Sequence, residues 1–169
     1  MRIGIITPAP SRSHYGNRIT ALRWAKILRR LGHRVSISQQ YDDEKLDLLL
    51  ALHARRSYSS INRFRRQPRD SPIILALTGT DVYRDIHVSQ RARQSLQLAD
   101  RIVVLQPRAL RELDSSARRK TRVIYQSVED NRRLRKRGGE SQRASNDSFD
   151  VSVIGHLRPV KDPFRAALA

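Results

Sequence analysis

The segment Leu46-Asp-Leu-Leu-Leu-Ala-Leu52 is nearly continuously apolar. A short apolar run without polar alternation is typical of a strand in a parallel sheet, because helices cover both faces of such a sheet. Similar short runs lie on either side of this segment along the chain. We predict the other strands at residues 2–6, 35–38, 73–77, 101–105 and 122–125.

Helical patterns fill the gaps between the predicted strands. Apolar residues recur at helical spacing over residues 17–31, and Gly32 has the position of a glycine that ends a helix. Further helices are predicted at 61–66, 89–98 and 107–113, the last with Pro107 in its first turn. Alternating strands and helices predict an α/β protein with a doubly wound, Rossmann-like parallel sheet.

The chain divides into three regions by composition. Residues 1–128 carry the strand and helix alternation and are predicted to form the Rossmann-like domain. Residues 129–148 are polar and charged, so we predict a linker. Residues 149–169 contain an apolar run, a glycine and basic residues, as at the start of a second α/β domain. We therefore expect one domain followed by the truncated beginning of another.

The composition limits the class of protein. The 169 residues include no cysteine, which excludes disulfides and thiolate chemistry. Neither a secretory signal nor an apolar stretch of membrane-spanning length is found, so we expect a cytoplasmic protein. The formal net charge is +18, which would suit a nucleic-acid-binding module. The charges are spread along the chain and aromatic residues make up only 5%, so we favour an arginine-rich composition as the explanation.

Polar and basic residues cluster after the predicted strands. Ligands of such sheets bind at the carboxyl ends of the strands, so these loops are expected to share one edge. After the first strand, Gly16, Asn17 and Arg18 begin a helix whose amides would attract an anion, although Asn17 could instead only cap that helix. After the third strand come His53 and Arg55.

The loop after the fourth predicted strand contains Thr80, Asp81 and Arg84. Asp81 could accept a proton or hold sugar hydroxyls, or it could cap the turn or pair with Arg84. His14 and His53 could each donate a hydrogen bond to a phosphate or a sugar. The histidines do not have the spacing of metal ligands, so we predict no metal site.

Six segments of the chain resemble one family. They are Thr7-Pro-Ala-Pro, Gly16-Asn-Arg-Ile-Thr-Ala-Leu-Arg-Trp-Ala25, Ala51-Leu-His-Ala-Arg-Arg-Ser57, Leu77-Thr-Gly-Thr-Asp81, Tyr83-Arg-Asp-Ile-His87 and Gly155-His-Leu-Arg-Pro-Val-Lys-Asp-Pro163. Together they are similar to the N-terminal half of the selenosugar synthases of selenoneine biosynthesis. These are group 1 glycosyltransferases of the GT-B fold, in which two Rossmann-like domains face each other across a cleft.

The resemblance implies transfer of a sugar from a UDP-sugar to selenophosphate, without a metal or another cofactor. Lys161 matches a family lysine that holds the donor diphosphate, and Arg158 could replace the usual arginine, where this chain has His156. The family carboxylate that holds the nucleotide ribose would fall beyond residue 169, so we expect no turnover by this chain alone.

Within that function we assign roles to individual residues. The catalytic candidates are His14 and Asp81. The acceptor or anion-binding candidates are Gly16, Asn17, Arg18, His53, Arg55, Thr80 and Arg84. The donor diphosphate candidates are Arg158 and Lys161. The expected partners are small molecules, UDP-sugar and selenophosphate. Two alternatives stay open, a group 1 glycosyltransferase with a hydroxyl acceptor and a basic Rossmann-like nucleic-acid-binding module.

Overall fold

The computed structural model of the protein describes residues 1–127. The predicted linker, the predicted start of a second domain and the donor diphosphate candidates Arg158 and Lys161 lie outside the described residues. The Rossmann-like region predicted at 1–128 is described almost completely.

The described residues contain one six-stranded sheet, and every pair of neighbouring strands in it is parallel. The strand order is β2-β1-β3-β4-β5-β6. The strands are β1 Arg2–Ile6, β2 Arg34–Ser38, β3 Leu48–Leu52, β4 Ile73–Leu77, β5 Arg101–Val104 and β6 Thr121–Val123. All six strands predicted from the sequence are therefore confirmed, with small differences at their ends.

Three of the four predicted helices are α-helices. They are α1 Gly16–Arg30, α2 Tyr58–Arg65 and, later in the chain, α4 Gln90–Leu98. Gly32 follows α1 with a φ of +84°, as predicted for a glycine that ends a helix. The fourth predicted helix is also present, as the 3₁₀-helix Pro107–Glu112, the tighter form that short segments often adopt.

Three short elements were not predicted. They are a π-helical turn at Asp81–Asp85, the single turn α3 at Ile86–Val88 and the helix α5 at Ser115–Arg119. Each is at most five residues long, which is too short to show a helical period in the sequence. No helix of the described part is long and apolar enough to cross a membrane.

Helices cover the two faces of the sheet unequally. On one face, Ala21 and Ala25 of α1 pack against Ile5 of β1 and Leu50 of β3. On the other face, α2, α4, the 3₁₀-helix and α5 pack against alternate residues of the central strands. The chain passes from β1 to β2 on one side and then builds β3 to β6 on the other side of β1. Because each crossover is right-handed, α1 lies on the opposite face from the later helices. The fold is therefore the predicted doubly wound α/β class.

The start of β3 differs from the prediction. We predicted the third strand from residue 46, but Leu46 lies before β3 and is buried over β1. A Cβ atom on Gly4 would overlap the Cδ1 atom of Leu46, so any other residue here would force the Leu46 side chain to shift. Asp47 accepts the backbone N–H of Arg2 at 2.7 Å. Leu46 and Asp47, which the apolar pattern assigned to the strand, therefore lie before it and make these contacts instead.

Candidate anion-binding site

The parallel sheet brings the predicted site residues to one edge. The loops after β1, β3 and β4 leave the carboxyl ends of parallel strands, and they carry His14, His53 and Asp81. Ligands of doubly wound sheets bind at the carboxyl ends of the strands. The expectation that these loops share one edge is therefore confirmed.

Asp81 is fully buried, and backbone N–H groups surround its carboxylate. Oδ2 accepts the N–H of Ala54 at 3.1 Å, and Oδ1 accepts those of Thr78 at 3.0 Å and Gly79 at 2.8 Å. Among the described residues, Asp81 forms no ion pair with Arg84. This geometry favours the turn-capping alternative over proton transfer, because the carboxylate joins two loops and does not reach solvent.

His53 lies directly after β3 in an unusual backbone conformation. Its φ is +75°, in the left-handed region that non-glycine residues rarely adopt and that often marks functional sites. The side chain is buried, with its Nδ1 atom 3.5 Å from the backbone nitrogen of Arg56 and its Nε2 atom 3.8 Å from Oδ2 of Asp85. His53 therefore lies beneath the surface, behind the carboxylate of Asp85.

The surroundings of His53 favour its neutral imidazole. Burial lowers the pKa of His53, since a charged ring would lose its hydration. The carboxylates of Asp81 and Asp85 act in the opposite direction, and the guanidinium groups of Arg56 and Arg55 act with burial. Desolvation is the largest of these effects.

A cleft of about 550 Å³ opens beside these two loops. Its lining consists of Arg55, Arg84, Asp85, Val88, Ser89, Gln90 and Arg91. The first of these follows β3, the next two belong to the π-helical turn after β4, and the last two begin α4. The cleft therefore has three guanidinium groups and a single carboxylate.

The charges of the cleft are unevenly partnered. The Nε atom of Arg55 donates to Oδ2 of Asp85 at 3.0 Å. Within residues 1–127, the guanidinium groups of Arg84 and Arg91 have no hydrogen-bond acceptor and no acidic partner. Because the one carboxylate is already paired, the cleft presents two unneutralised positive charges to a ligand.

The start of α4 adds the positive end of a helix to the same cleft. Ser89 precedes the helix, and its Oγ atom accepts the N–H of Ala92 at 3.4 Å. Gln90 and Arg91 are the first two helical residues, whose N–H groups have no partner one turn earlier in the helix. The partial positive charge of the helix end therefore adds to that of the three arginines.

The candidates after β1 form a second group, at the start of α1 and on the opposite face of the sheet from the cleft. Gly16 is the first residue of α1, and Tyr15 precedes it without a side-chain cap. The alternative that Asn17 caps the helix is wrong, because Asn17 already lies inside it. The Nε atom of Arg18 is buried without a hydrogen-bond partner. His14 is exposed in the preceding loop.

The structure thus separates residues that the sequence placed together. Arg55 and Arg84 line one cleft, His53 and Asp81 lie buried behind it, and exposed Thr80 precedes the π-helical turn without capping it. Sequence reasoning missed Asp85, Ser89 and Arg91. Ser89 had a usable signal, because it is the first residue of the predicted helix 89–98 and serine at a helix start is a common N-cap.

Two comparisons of the sequence identify no relative. No protein-family model matches the sequence, and a search of curated proteins found no match. Among residues 1–127, no three His, Asp or Glu side chains are grouped so that they could hold a metal ion.

Proposed function

We propose that the cleft binds a phosphate-type oxyanion, and that this oxyanion is the acceptor of a glycosyltransferase. The reaction would transfer a sugar from a UDP-sugar to selenophosphate, as the resemblance to selenosugar synthases implies. The observation that carries the proposal is the cluster of Arg55, Arg84 and Arg91 around a cleft whose only carboxylate is already paired.

The chemistry of an oxyanion acceptor suits this cleft. The planar guanidinium of arginine can donate two parallel hydrogen bonds to two oxygens of one phosphate group, so it both binds and orients that group. In the reaction, selenium forms a bond to the anomeric carbon while the bond from that carbon to the diphosphate oxygen breaks. UDP leaves with the electron pair. Holding the anion in line with that bond is the main requirement on the acceptor side.

The buried positions of Asp81 and His53 favour selenophosphate over a hydroxyl acceptor. An alcohol has to lose its proton during transfer, which needs a general base within reach of the hydroxyl. Asp81 is fully buried and its oxygens accept three backbone N–H groups. His53 is buried behind Asp85. A selenophosphate anion is already a nucleophile and makes no such demand.

The volume of the cleft also supports a substrate larger than a single ion. Small-molecule sites are commonly clefts of about 300 to 1,000 Å³. At about 550 Å³, the cleft has room for selenophosphate together with part of the incoming sugar. The exposed side chain of Val88 provides an apolar contact on one wall.

The first test measures equilibrium binding to the chain. Thiophosphate, a stable analogue of selenophosphate, is titrated by calorimetry at about 0.15 M salt, beside inorganic phosphate, glucose and a single-stranded oligonucleotide. We expect saturable binding of both oxyanions and none of glucose. R84A and R91A should each weaken it about tenfold or more, the effect of losing a charge-assisted hydrogen bond. The control variant R30A changes an exposed arginine at the end of α1 and should bind normally.

The second test concerns the reaction. The full-length protein, with any sequence that follows residue 169, is supplied with UDP-glucose or UDP-N-acetylglucosamine together with selenophosphate or an alcohol, and products are identified by mass spectrometry. A product with selenium bonded to the sugar supports the proposal. Transfer to alcohols alone would show the hydroxyl-acceptor alternative to be correct.

In the binding test, tight, salt-dependent binding of the oligonucleotide without oxyanion binding would instead support a nucleic-acid-binding module.

A further inference from the structure

Asp85 contacts both sides of the cleft. Its side chain accepts the Nε–H of Arg55 at 3.0 Å, and its backbone carbonyl accepts the N–H of Ser89 at 2.7 Å. Arg55 follows β3, whereas Ser89 is the N-cap of α4. One residue therefore links the guanidinium on one wall to the helix start on the other.

The contact with Asp85 uses only part of the Arg55 guanidinium. Nε is the donor, and among residues 1–127 neither terminal nitrogen of Arg55 has an acceptor. The Asp85 side chain is only 9% exposed, while that of Arg55 is 49% exposed. A buried anchor therefore holds an exposed group whose two terminal nitrogens are available to a ligand.

The local backbone fixes the position of Asp85. Asp85 is the last residue of the π-helical turn, a rare element that occurs frequently at functional sites. His53 lies behind the carboxylate, with Nε2 at 3.8 Å, which is longer than a hydrogen bond. Arg55 is therefore the hydrogen-bonded partner of this carboxylate, whereas His53 interacts with it only through charge.

We propose that Asp85 is a positioning residue, which holds the Arg55 guanidinium in the orientation that receives the oxyanion of the acceptor. This inference rests on the proposed function of the cleft. A free arginine side chain loses rotamer freedom when it binds a ligand, and a side chain that is already held loses less. The negative charge of Asp85 also repels an anion, so positioning and repulsion predict opposite effects when the charge is removed.

The test compares thiophosphate affinity in the wild type, D85A, D85N, R55A and the double variant R55A/D85A. We expect D85A to weaken binding about three- to tenfold, the effect of one side chain that must be ordered on binding. D85N keeps an oxygen acceptor for Nε and should lose less. In the R55A background, D85A should cause no further loss, because no guanidinium is left to position.

The opposite results would overturn the inference. Tighter binding by D85A and D85N would show that Asp85 acts only through repulsion. Equal losses from D85A with and without Arg55 would show that it supports the fold and does not position the guanidinium. The matched control is D70A, which removes a fully exposed carboxylate that also pairs with an arginine. It should leave affinity unchanged.

A second measurement needs no ligand and separates this inference from the proposed function. The steady-state heteronuclear NOE of the Arg55 Nε–H group reports picosecond to nanosecond motion of the guanidinium. We expect a high value in the wild type, a lower one in D85N and the lowest in D85A. The Nε–H group of Arg63, which donates to Asp43, should not change. An unchanged Arg55 value in the folded D85A variant, which has no acceptor for Nε, would overturn the positioning role even if the cleft binds thiophosphate. If thiophosphate does not bind, the proposed function fails while this measurement still decides the role of Asp85.

Discussion

The Oδ2 atom of Asp81 accepts the backbone N–H of Ala54 at 3.1 Å, although the two residues are 27 positions apart. The other carboxylate oxygen accepts N–H groups of its own loop, those of Thr78 and Gly79. This one buried side chain therefore fixes the loop after β3 against the loop after β4. Those loops carry Arg55 and Arg84, so the shape of the cleft depends on the hydrogen bonds of Asp81.

The first prediction tests the hydrogen bonds of Asp81 with the variant D81N. An amide has one acceptor oxygen, and its NH₂ group would face buried backbone donors. We expect the free energy of unfolding to fall by about 2 kcal/mol, the cost of buried donors left without a partner. Urea unfolding followed by circular dichroism measures it. The control D70N changes a fully exposed carboxylate and should stay near the wild type. Equal stability of D81N and D70N would contradict the structural role of Asp81.

The second prediction concerns pH. Burial lowers the pKa of His53, so the folded protein resists protonation of this ring. The unfolded chain takes up that proton as the pH falls through about 6.5, the ordinary histidine value. The contribution of His53 is therefore fully present above that pH and is lost as the pH falls towards the lower folded pKa.

The variant H53N checks the pH effect, because asparagine tolerates the left-handed backbone at this position. Free energies of unfolding are compared at about pH 7.5 and about pH 5.5. We expect the loss of stability on acidification to be smaller in H53N than in the wild type. The control H14N removes an exposed imidazole and should retain the wild-type loss. An equal loss in all three proteins would contradict a neutral, buried His53.

The third prediction separates the cap of α4 from the charge of the cleft. Asparagine and aspartate at position 89 can both replace serine as an N-cap, so S89N and S89D should keep the stability of the wild type. S89A should cost about 1 kcal/mol in the free energy of unfolding. Thiophosphate affinity should fall about tenfold or more in S89D relative to S89N, because only S89D adds a negative charge to the cleft. Equal affinities of S89D and S89N would be inconsistent with an anion site here.

The fourth prediction tests the contact of β1 with the segment before β3. In G4A, the new methyl group would overlap the buried side chain of Leu46, so we expect a loss of about 1 to 3 kcal/mol in the free energy of unfolding. In the L46A background the same substitution should cost markedly less, since the overlapping atoms are gone. Urea unfolding of the two single variants and the double variant measures the coupling. Additive losses would contradict the close approach of Gly4 and Leu46.

The sequence was sufficient for the sheet and for the long helices. Each strand has its own apolar run, such as Ile73–Leu77, which has the same bounds in the prediction and in the structure. The start of β3 was misplaced because Leu46 is apolar for a different reason, its contact with Gly4. The π-helical turn Asp81–Asp85 had no periodic pattern at all.

The sequence located the site at the correct edge but did not give its composition. Arg55 and Arg84 were predicted as anion ligands from their positions after strands, and both line the cleft. The hydrogen bond of Arg55 with Asp85 joins residues 30 positions apart and depends on side-chain rotamers that no local pattern encodes. The burial of Asp81 depends equally on a distant loop, that of Ala54.

The location of the bound oxyanion is the most direct test of the central claim. Backbone amide shifts of the ¹⁵N-labelled chain are followed by NMR while thiophosphate is added at constant ionic strength. We expect the largest, saturating changes at the amides of Ser89, Gln90 and Arg91, with smaller ones near Arg55. Saturating changes confined to Gly16, Asn17 and Arg18 at the start of α1, or the absence of saturation at any amide, would contradict an acceptor site in the cleft.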